Sequence, residues 1–415
     1  MKEAKPPEPL GLAPTFGFGD RLGLATTGHL EALRAHGGKI LPIFAQQSMR
    51  ELSRTQRKPS DVVDDAFAAL SSAGYDGRWG ADADHLKSQE DINATAGAGF
   101  VFFTLDPSEH VDPLADSCPP DQLEARYHDL QGDVNWTEEY VGRTIEVPEG
   151  PVIHFDRNTV LQAAIKYGRA IAHAIKLGAH LDRVMSKRSR AYEIELSLDE
   201  TPTPTTLVEH FIIAEQCLAG RVKMVSLAPR FLGEFEPGVD FRGDVRQLAA
   251  SLTDHAAIAR YLGPYKLSLH SGSDKFTIYR KFAQATRGMF HVKTSGASYL
   301  EALRVAARCD RRLFRRIVEF SRQRFDKDRD TYNVSARLQK APTPAAINDD
   351  AVLERQYLDQ NDGRQILHVT FGSVLTETDL GRALRDVLVA HPDTHREVLA
   401  QRFGRHLKEL CKGMA

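Results

Sequence analysis

Two histidines, His85 and His270, each follow the apolar residues of a strand-like run and lie at matching positions near the ends of their strands. Two imidazoles that converge with a carboxylate can hold a divalent cation and leave coordination positions open for a substrate. The alternative is a pair of unrelated polar histidines. We therefore treat His85 and His270 as candidate metal ligands, provided that the fold brings them together.

Two glutamates, Glu193 and Glu195, lie two residues apart in a strand-like run, so their side chains point to the same side of the strand. The residues that point to the other side are apolar. If the apolar residues face outer helices, both carboxylates point inward, where desolvation raises the pKa of an acid and suits it to proton transfer. Interior salt bridges with Lys266 and Lys293, which have the inward parity of later strands, are the alternative. The pattern makes Glu195 a candidate catalytic acid.

Two short loops place a glycine among hydroxyl-bearing residues. They run from His270 to Lys275 (HSGSDK) and from Thr294 to Ser298 (TSGAS). Glycine lets the backbone approach a ligand, while hydroxyls, N–H groups and the N-terminus of the next helix favour an anion. Turns that cap the next helix explain the same residues, and the two interpretations are compatible. We expect these loops to bind a phosphate or a carboxylate.

The elements that must position these residues alternate between a short strand and an amphipathic helix, which is typical of βα units and a parallel sheet. Eight strands are predicted, at 15–21, 40–47, 79–86, 99–106, 192–200, 223–231, 265–275 and 289–296. Helices are predicted at 27–35, 60–72, 88–96, 206–219, 244–259, 276–285 and 298–307. Because the predicted strands number eight, as a closed barrel of this kind requires, we predict an α/β fold of the (β/α)8 TIM-barrel type. A doubly wound sheet is the competing architecture.

Two segments fall outside this alternation. A proline-rich stretch with a helix at 121–129, followed by a long helix at 159–177, forms a predicted insertion after strand 4, at about 106–190, that could serve as a lid. The remainder is predicted to be mainly helical, with one strand-like run at 365–372. We therefore assign residues 1–310 to the barrel and residues 311–415 to a C-terminal, mainly helical extension packed on it.

The active site of such a barrel lies at the C-terminal ends of its strands. Polar residues gather there in this sequence, although any strand end leads into a polar loop. The candidate substrate-binding residues are Gln46, Arg230, Ser271, Asp274, Lys275, Lys293, Thr294 and Ser295.

Composition excludes several classes of protein. With 54 Lys+Arg against 56 Asp+Glu, the formal net charge of −2 lacks the basic excess of a dedicated nucleic-acid binder. No stretch approaches the ~20 apolar residues of a membrane span, and the beginning of the sequence lacks the apolar core of a signal peptide. The four cysteines form no CxxC pair, which is typical of reduced thiols. We expect a cytoplasmic protein that binds neither nucleic acid nor a membrane.

Six runs occur in a fixed order along the chain: FGFGDRLG from Phe16, PIFAQQS from Pro42, GADADHLK from Gly80, SLAPRF from Ser226, HSGSDKF from His270 and HVKTSG from His291. Together they resemble the bacterial tagaturonate epimerase family, over about residues 15–375. The resemblance implies a metal-dependent epimerase that interconverts D-tagaturonate and D-fructuronate in hexuronate catabolism. It also implies one divalent cation, with Mn, Co, Ni, Zn and Fe as candidates, and a small-molecule keto-uronate as the substrate.

The same resemblance implies roles for individual residues. Asp84 and His85 look like the base and a metal ligand, His270 like a second ligand, and Glu195 like the proton donor. The third ligand stays open among Asp199, Glu200, Glu234 and His291. A homo-oligomer is possible.

The chemistry constrains these roles, because the two keto-acids differ at a carbinol carbon β to the ketone, whose C–H is not acidic. Retro-aldol cleavage solves this problem: a base removes the hydroxyl proton, the carbon–carbon bond breaks, and a metal can stabilise the enediolate. Transient hydride transfer is another route, but the glycine run from Gly17 to Gly23 lacks the spacing of a dinucleotide fingerprint. The alternative functions are a metal-dependent aldolase or sugar isomerase on the same barrel, or a sugar-acid binding protein without turnover.

Overall fold

Eight parallel strands close into a barrel in the computed structural model, which describes residues 3–130, 132 and 134–414. The strands assigned in that range are β1 (Thr15–Gly19), β2 (Leu41–Ser48), β3 (Gly80–Leu86), β4 (Phe102–Leu105), β5 (Thr144–Glu146), β6 (Val152–His154), β7 (Glu193–Ser197), β8 (Met224–Ala228), β9 (Lys266–Leu269) and β10 (Phe290–Thr294). The order around the barrel is β1-β10-β9-β8-β7-β4-β3-β2, and β5 and β6 form a separate antiparallel pair. The predicted (β/α)8 barrel is confirmed, and the doubly wound sheet is not observed.

The barrel strands are buried on both sides, since helices cover the outside and side chains fill the interior. In β7, Ile194 and Leu196 belong to the main hydrophobic core. Glu195 points to the opposite side of the strand, and its Oε1 lies 2.9 Å from Nζ of Lys293 on β10. The predicted inward direction of Glu195 is therefore confirmed, together with the alternative that it forms an interior salt bridge.

Helices follow the barrel strands and continue to the end of the described chain. They are α1 (Thr26–His36), α2 (Met49–Thr55), α3 (Pro59–Ser72), α4 (Gln89–Ala98), α5 (Pro120–His128), α6 (Arg157–Lys187), α7 (Leu207–Ala219), α8 (Val245–Leu262), α9 (Tyr279–Ala285), α10 (Ala297–Cys309), α11 (Arg311–Asp328), α12 (Asp350–Leu358), α13 (Asn361–Val369), α14 (Phe371–Thr376), α15 (Thr378–Ala390) and α16 (Pro392–Met414). Among the helices of the described residues, none is both long enough and apolar enough to cross a bilayer.

The insertion after β4 contains α5, the hairpin of β5 and β6, and the long helix α6. The hairpin was not predicted, and α6 extends beyond the predicted 159–177 at both ends. Because α6 packs against α4, α5 and α7, the insertion belongs to the outer helical layer. The residues that line the two site cavities come from elsewhere in the described chain, so a lid role finds no support.

The C-terminal extension forms a second hydrophobic core with α10, while α16 returns to pack against α1, α9 and α10. The strand predicted at 365–372 is wrong: this segment lies in α13 and α14. A short apolar run does not distinguish a strand from a buried helix by periodicity. Ile366, Leu367 and Val369 are all buried in this second core, so nearly the whole circumference of α13 is covered.

Candidate active site

A single ammonium group joins three strands near the C-terminal end of the barrel. Nζ of Lys293 on β10 lies 2.8 Å from Oδ2 of Asp82 and 2.5 Å from Oδ1 of Asp84, both on β3. It also lies 2.9 Å from Oε1 of Glu195 and donates to Oγ1 of Thr104 at 2.6 Å. One cation thus compensates three buried carboxylates, which would otherwise be costly to ionise.

The charges in this cluster favour one another. Burial disfavours the ammonium of Lys293, but Asp82, Asp84 and Glu195 outweigh it and hold the lysine pKa well above its ordinary value. Burial also opposes ionisation of Asp84, but Lys293 and His85 outweigh it and lower the pKa of the carboxyl. Asp84 is therefore ionised and can accept a proton.

Asp84 and His85 reach the same side of the barrel although they are neighbours in β3. Successive strand residues normally point to opposite faces. The pairing of β3 with β4 shifts between Ala83 and Leu86, and His85 has a φ of 54°. A left-handed backbone at a residue other than glycine costs of order 1–3 kcal/mol and is found at functional sites. Because of this local irregularity of β3, the side chains of Asp84 and His85, two potential metal ligands, lie in the same cavity.

Asp84, His85 and His270 form a group that could hold a metal ion, because their ligand atoms all lie within 4.8 Å of one another. Nδ1 of His85 lies 3.1 Å from Oδ2 of Asp106, which leaves Nε2 for a cation. A carboxylate behind a metal-binding histidine fixes the ring and its tautomer. The donor set fits a divalent cation with open positions.

Asp84, which the family resemblance implied as the base, is thus the third member of the group, and three of the four open candidates are engaged elsewhere. Glu200 pairs with Arg50, Glu234 approaches Arg230, and Nδ1 of His291 lies 2.9 Å from Oγ1 of Thr15. Asp199, in contrast, lines the cavities beside the group, with its Oδ1 2.9 Å from Nδ1 of His270.

His270 lies between two carboxylates. Its Nε2 is 2.6 Å from Oε1 of Glu195, and its Nδ1 faces Asp199. Burial favours the neutral ring, but Asp199 and Glu195 outweigh it and raise the pKa of His270 to about 9. The imidazole is therefore held in a fixed orientation by a carboxylate on each side.

The expectation of a raised pKa for Glu195 is wrong. Burial does raise it, but Lys293 and His270 dominate and hold the pKa well below its ordinary value. Glu195 is fully buried and is not among the described residues that line the site cavities. Its contacts with the cavity lining include those with His270 and Lys293.

Two adjoining cavities open above this cluster. The smaller, of about 70 Å³, is lined by Asp84, His85, His270 and Lys293, with Arg21, Gln46, Ser271 and Ser295. The larger, of about 810 Å³, shares His270, Ser271 and Ser295 and is bounded by Arg230. Five candidate substrate-binding residues therefore line these cavities: Gln46, Arg230, Ser271, Lys293 and Ser295.

Three other candidates lie elsewhere, and the expectation that they touch the substrate is corrected. Nζ of Lys275 donates to the carbonyls of Ser273, Glu236 and Val239, so its three protons are in use. Asp274 forms ion pairs with residues of the extension, namely Arg364, Arg402 and His406. Oγ1 of Thr294 donates to the carbonyl of Gly17 at 2.6 Å.

Sequence reasoning missed several residues of the site. In the run GADAD, Asp82 and Asp84 lie two residues apart and point to the same side of the strand. This shared direction could have identified Asp82 as a residue of the site. The extension contributes Tyr332, Asn333 and His368 to the larger cavity, and no local motif marks them. Ser48-Met-Arg-Glu51 is the capping-box signature of α2, which was also missed.

Comparison with known proteins gives a consistent result. The chain matches the family described as tagaturonate epimerase over residues 3–410. A tagaturonate/fructuronate epimerase of Thermotoga maritima is 40% identical over 403 residues, covering 97% of this chain and 82% of that protein.

Solved structures agree with the sequence match. The crystal structure of a fructuronate-tagaturonate epimerase from Cohnella laeviribosi with one glycerol has a TM-score of 0.91 at 36% identity, covering 98% of this chain and 83% of that chain. The native crystal structure of the Cohnella enzyme gives a TM-score of 0.91 at 35% identity, with the same coverage.

Proposed function

The chain belongs to the tagaturonate epimerase family and is an isomerase, and on that premise we propose that it interconverts D-tagaturonate and D-fructuronate with a divalent cation and by carbon–carbon cleavage. The observation that carries the proposal is the group of Asp84, His85 and His270 in one cavity, beside the buried Lys293 cluster. Its role in hexuronate catabolism is part of the proposal, and a cytoplasmic location and a homo-oligomer stay predictions.

Asp84, His85 and His270 would hold the cation. When bound, a divalent cation would polarise the ketone and stabilise negative charge on the enediolate oxygens. A carboxylate has two oxygens, so Asp84 can offer one to the cation and the other to a proton. Asp106 orients the imidazole of His85 from behind, and Glu195 orients that of His270.

The reaction begins when Asp84 accepts the proton of the hydroxyl on the carbon to be epimerised. The bond between this carbon and its neighbour on the ketone side breaks, and its electron pair becomes the enediolate. The carbon becomes an aldehyde, turns its other face, and the same bond forms again. The new alkoxide then takes up a proton, so atoms and electrons balance.

Lys293 completes the proton path. It contacts Asp84 and lines the cavity, so it can return to the new alkoxide the proton that Asp84 gained. Glu195 is ionised and buried, so it has no proton to give and instead holds His270 and Lys293 in place. We therefore assign Asp84 as the base that touches the substrate and Glu195 as a positioning residue.

A turnover assay tests the proposal. The protein is stripped with a chelator, reloaded with Mn²⁺, Co²⁺, Ni²⁺, Zn²⁺ or Fe²⁺, and incubated with D-tagaturonate, and the epimers are resolved by chromatography. We expect D-fructuronate only with a cation present. Release of two fragments would show an aldolase, an aldose product a sugar isomerase, and binding without turnover a binding protein.

A further inference from the structure

Arg21 is a buried cation with an unused donor. It lies just beyond β1 at the C-terminal end of the barrel, and only 2% of its side chain is exposed. Its Nε donates to Oε1 of Glu51 at 2.7 Å, whereas its buried Nη1 has no hydrogen-bond partner in the described chain. A buried charged donor without a partner is costly, so its persistence indicates a ligand.

The guanidinium of Arg21 is held on two sides. Glu51 is fixed by the capping box of α2, in which its backbone N–H donates to Oγ of Ser48 at 3.2 Å. The ring of Phe371, from the C-terminal extension, lies under the guanidinium at 3.6 Å from Cζ to the ring centroid. Arg21 therefore presents its remaining donors in a fixed plane, which suits a planar acceptor.

Arg21 lines the same small cavity as Asp84 and the two candidate metal-binding histidines. Gln46 also lines it, and both polar atoms of that buried amide lack partners among the described residues. Gly17 makes room for this amide, because a Cβ there would lie 1.7 Å from Oε1 of Gln46. The cavity is thus lined by Arg21 and Gln46, which have unsatisfied polar atoms, in addition to Asp84, His85 and His270.

The other cations at the cavity are less available to an anion. Lys293 is shared by Asp82, Asp84 and Glu195, and Arg50 pairs with Glu200 at 3.1 Å. Arg21 keeps an N–H that no described residue uses. A keto-uronate carries one formal charge, its planar carboxylate with two acceptor oxygens, which matches the guanidinium.

We propose that Arg21, assisted by Gln46, binds the carboxylate of the keto-uronate substrate and sets the specificity for acids over neutral ketoses. This inference rests on the proposed function. The carboxylate is separated from the epimerised carbon by a single carbon, so an anchor at Arg21 keeps that carbon within the cavity that contains Asp84. When the carbon–carbon bond breaks, the carboxylate stays on the aldehyde fragment. Arg21 therefore retains that fragment while its face turns.

The experiment compares the affinity of the Mn²⁺-loaded protein for D-tagaturonate and for D-tagatose, its neutral counterpart. We expect the wild type to prefer the acid at least tenfold, and Arg21→Lys, which loses the planar fork, to lose that preference with unchanged Mn²⁺ affinity. If Arg21→Lys fails to fold because of Glu51, the variant Arg21→Gln/Glu51→Gln removes the pair together. Arg304→Lys is the matched control, since Arg304 is also buried but is paired with Glu301, Glu354 and Asp359 away from the cavities.

A second readout separates anchoring from mere structural support: during turnover, Arg21→Lys should release the short aldehyde acid into solution, and Arg304→Lys should not. The inference is overturned if the wild type shows no preference for the acid, if the preference persists in the Arg21 variants, or if Arg304→Lys loses it equally. A wild type that prefers the acid but epimerises nothing refutes the proposed function and leaves the test of Arg21 valid.

Discussion

Nε2 of His85 lies 3.8 Å from Oδ1 of Asp84, although the two are consecutive residues of β3. A regular strand would send them to opposite faces. The register shift after Ala83 and the left-handed backbone of His85 bring both into the cavity that also contains His270. The candidate metal centre therefore depends on a local distortion of one strand.

The first prediction concerns metal binding. His85→Ala and His270→Ala should each weaken Mn²⁺ binding at least tenfold, since loss of an outer partner alone typically costs 10–100-fold. Calorimetric titration measures the affinity, and His154→Ala in the exposed hairpin is the control. Unchanged affinity in both site variants would remove the metal centre from the proposal.

The second prediction separates the two acids. At saturating Mn²⁺, Asp84→Asn should lower kcat by about 10²–10⁴-fold, the usual size of a general base contribution. Glu195→Gln should lose about 10–100-fold, because it acts behind His270. Glu193→Gln is the control, since Glu193 has the same parity but accepts from the backbone N–H of Gly11. A larger loss for Glu195→Gln than for Asp84→Asn would reverse the assignment.

The third prediction concerns the bond that breaks. In the proposed path the epimerised carbon keeps its hydrogen, so the reaction in D₂O should give product without deuterium at that carbon, as observed by NMR. Full incorporation of solvent deuterium there would refute carbon–carbon cleavage and require direct proton transfer at carbon.

The fourth prediction assigns Lys275 to stability. Lys275→Met should lower the free energy of unfolding by about 1–3 kcal/mol, because the carbonyls that accept from Nζ lose a buried donor. It should leave the ratio of affinities for D-tagaturonate and D-tagatose unchanged. Urea denaturation measures stability, with exposed Lys281→Met as the control. A selective loss of uronate binding with normal stability would instead restore Lys275 as a substrate ligand.

The fifth prediction concerns acid stability. His210 and His255 are buried with their Nδ1 atoms 2.7 Å apart, and burial lowers the pKa of His255 to about 4. The unfolded chain takes up this proton near pH 6.5, but the folded chain does not until about pH 4. Stability should therefore fall by up to about 3 kcal/mol as the pH drops through this window.

Chemical denaturation at pH 7, 5.5 and 4 measures this loss. His255→Gln should flatten the dependence, whereas the exposed His154→Ala should leave it unchanged. Equal slopes for the wild type and His255→Gln would show that other groups control the acid sensitivity.

The sequence by itself determined the barrel and the residues that surround its opening. The local periodicity of apolar residues indicates where strands and helices alternate, so the eight barrel strands could be counted from the sequence. The inward parity of Glu195 and the strand-end positions of His85 and His270 followed from the same periodicity. Buried helices without a clear period were beyond this reasoning, as the segment at 365–372 shows.

Only the tertiary structure decided which neighbours each side chain meets, and those neighbours set its chemistry. Lys275 and Lys293 look alike in sequence, yet one donates to backbone carbonyls and the other joins three carboxylates. The pKa of Glu195 is lowered instead of raised because Lys293 and His270 approach from distant strands.

Arg21 faces the cavity because Glu51 and Phe371, far apart in the chain, fix its plane. Local periodicity specifies on which side of an element a residue lies, whereas charge and hydrogen-bond partners depend on contacts between distant parts of the chain.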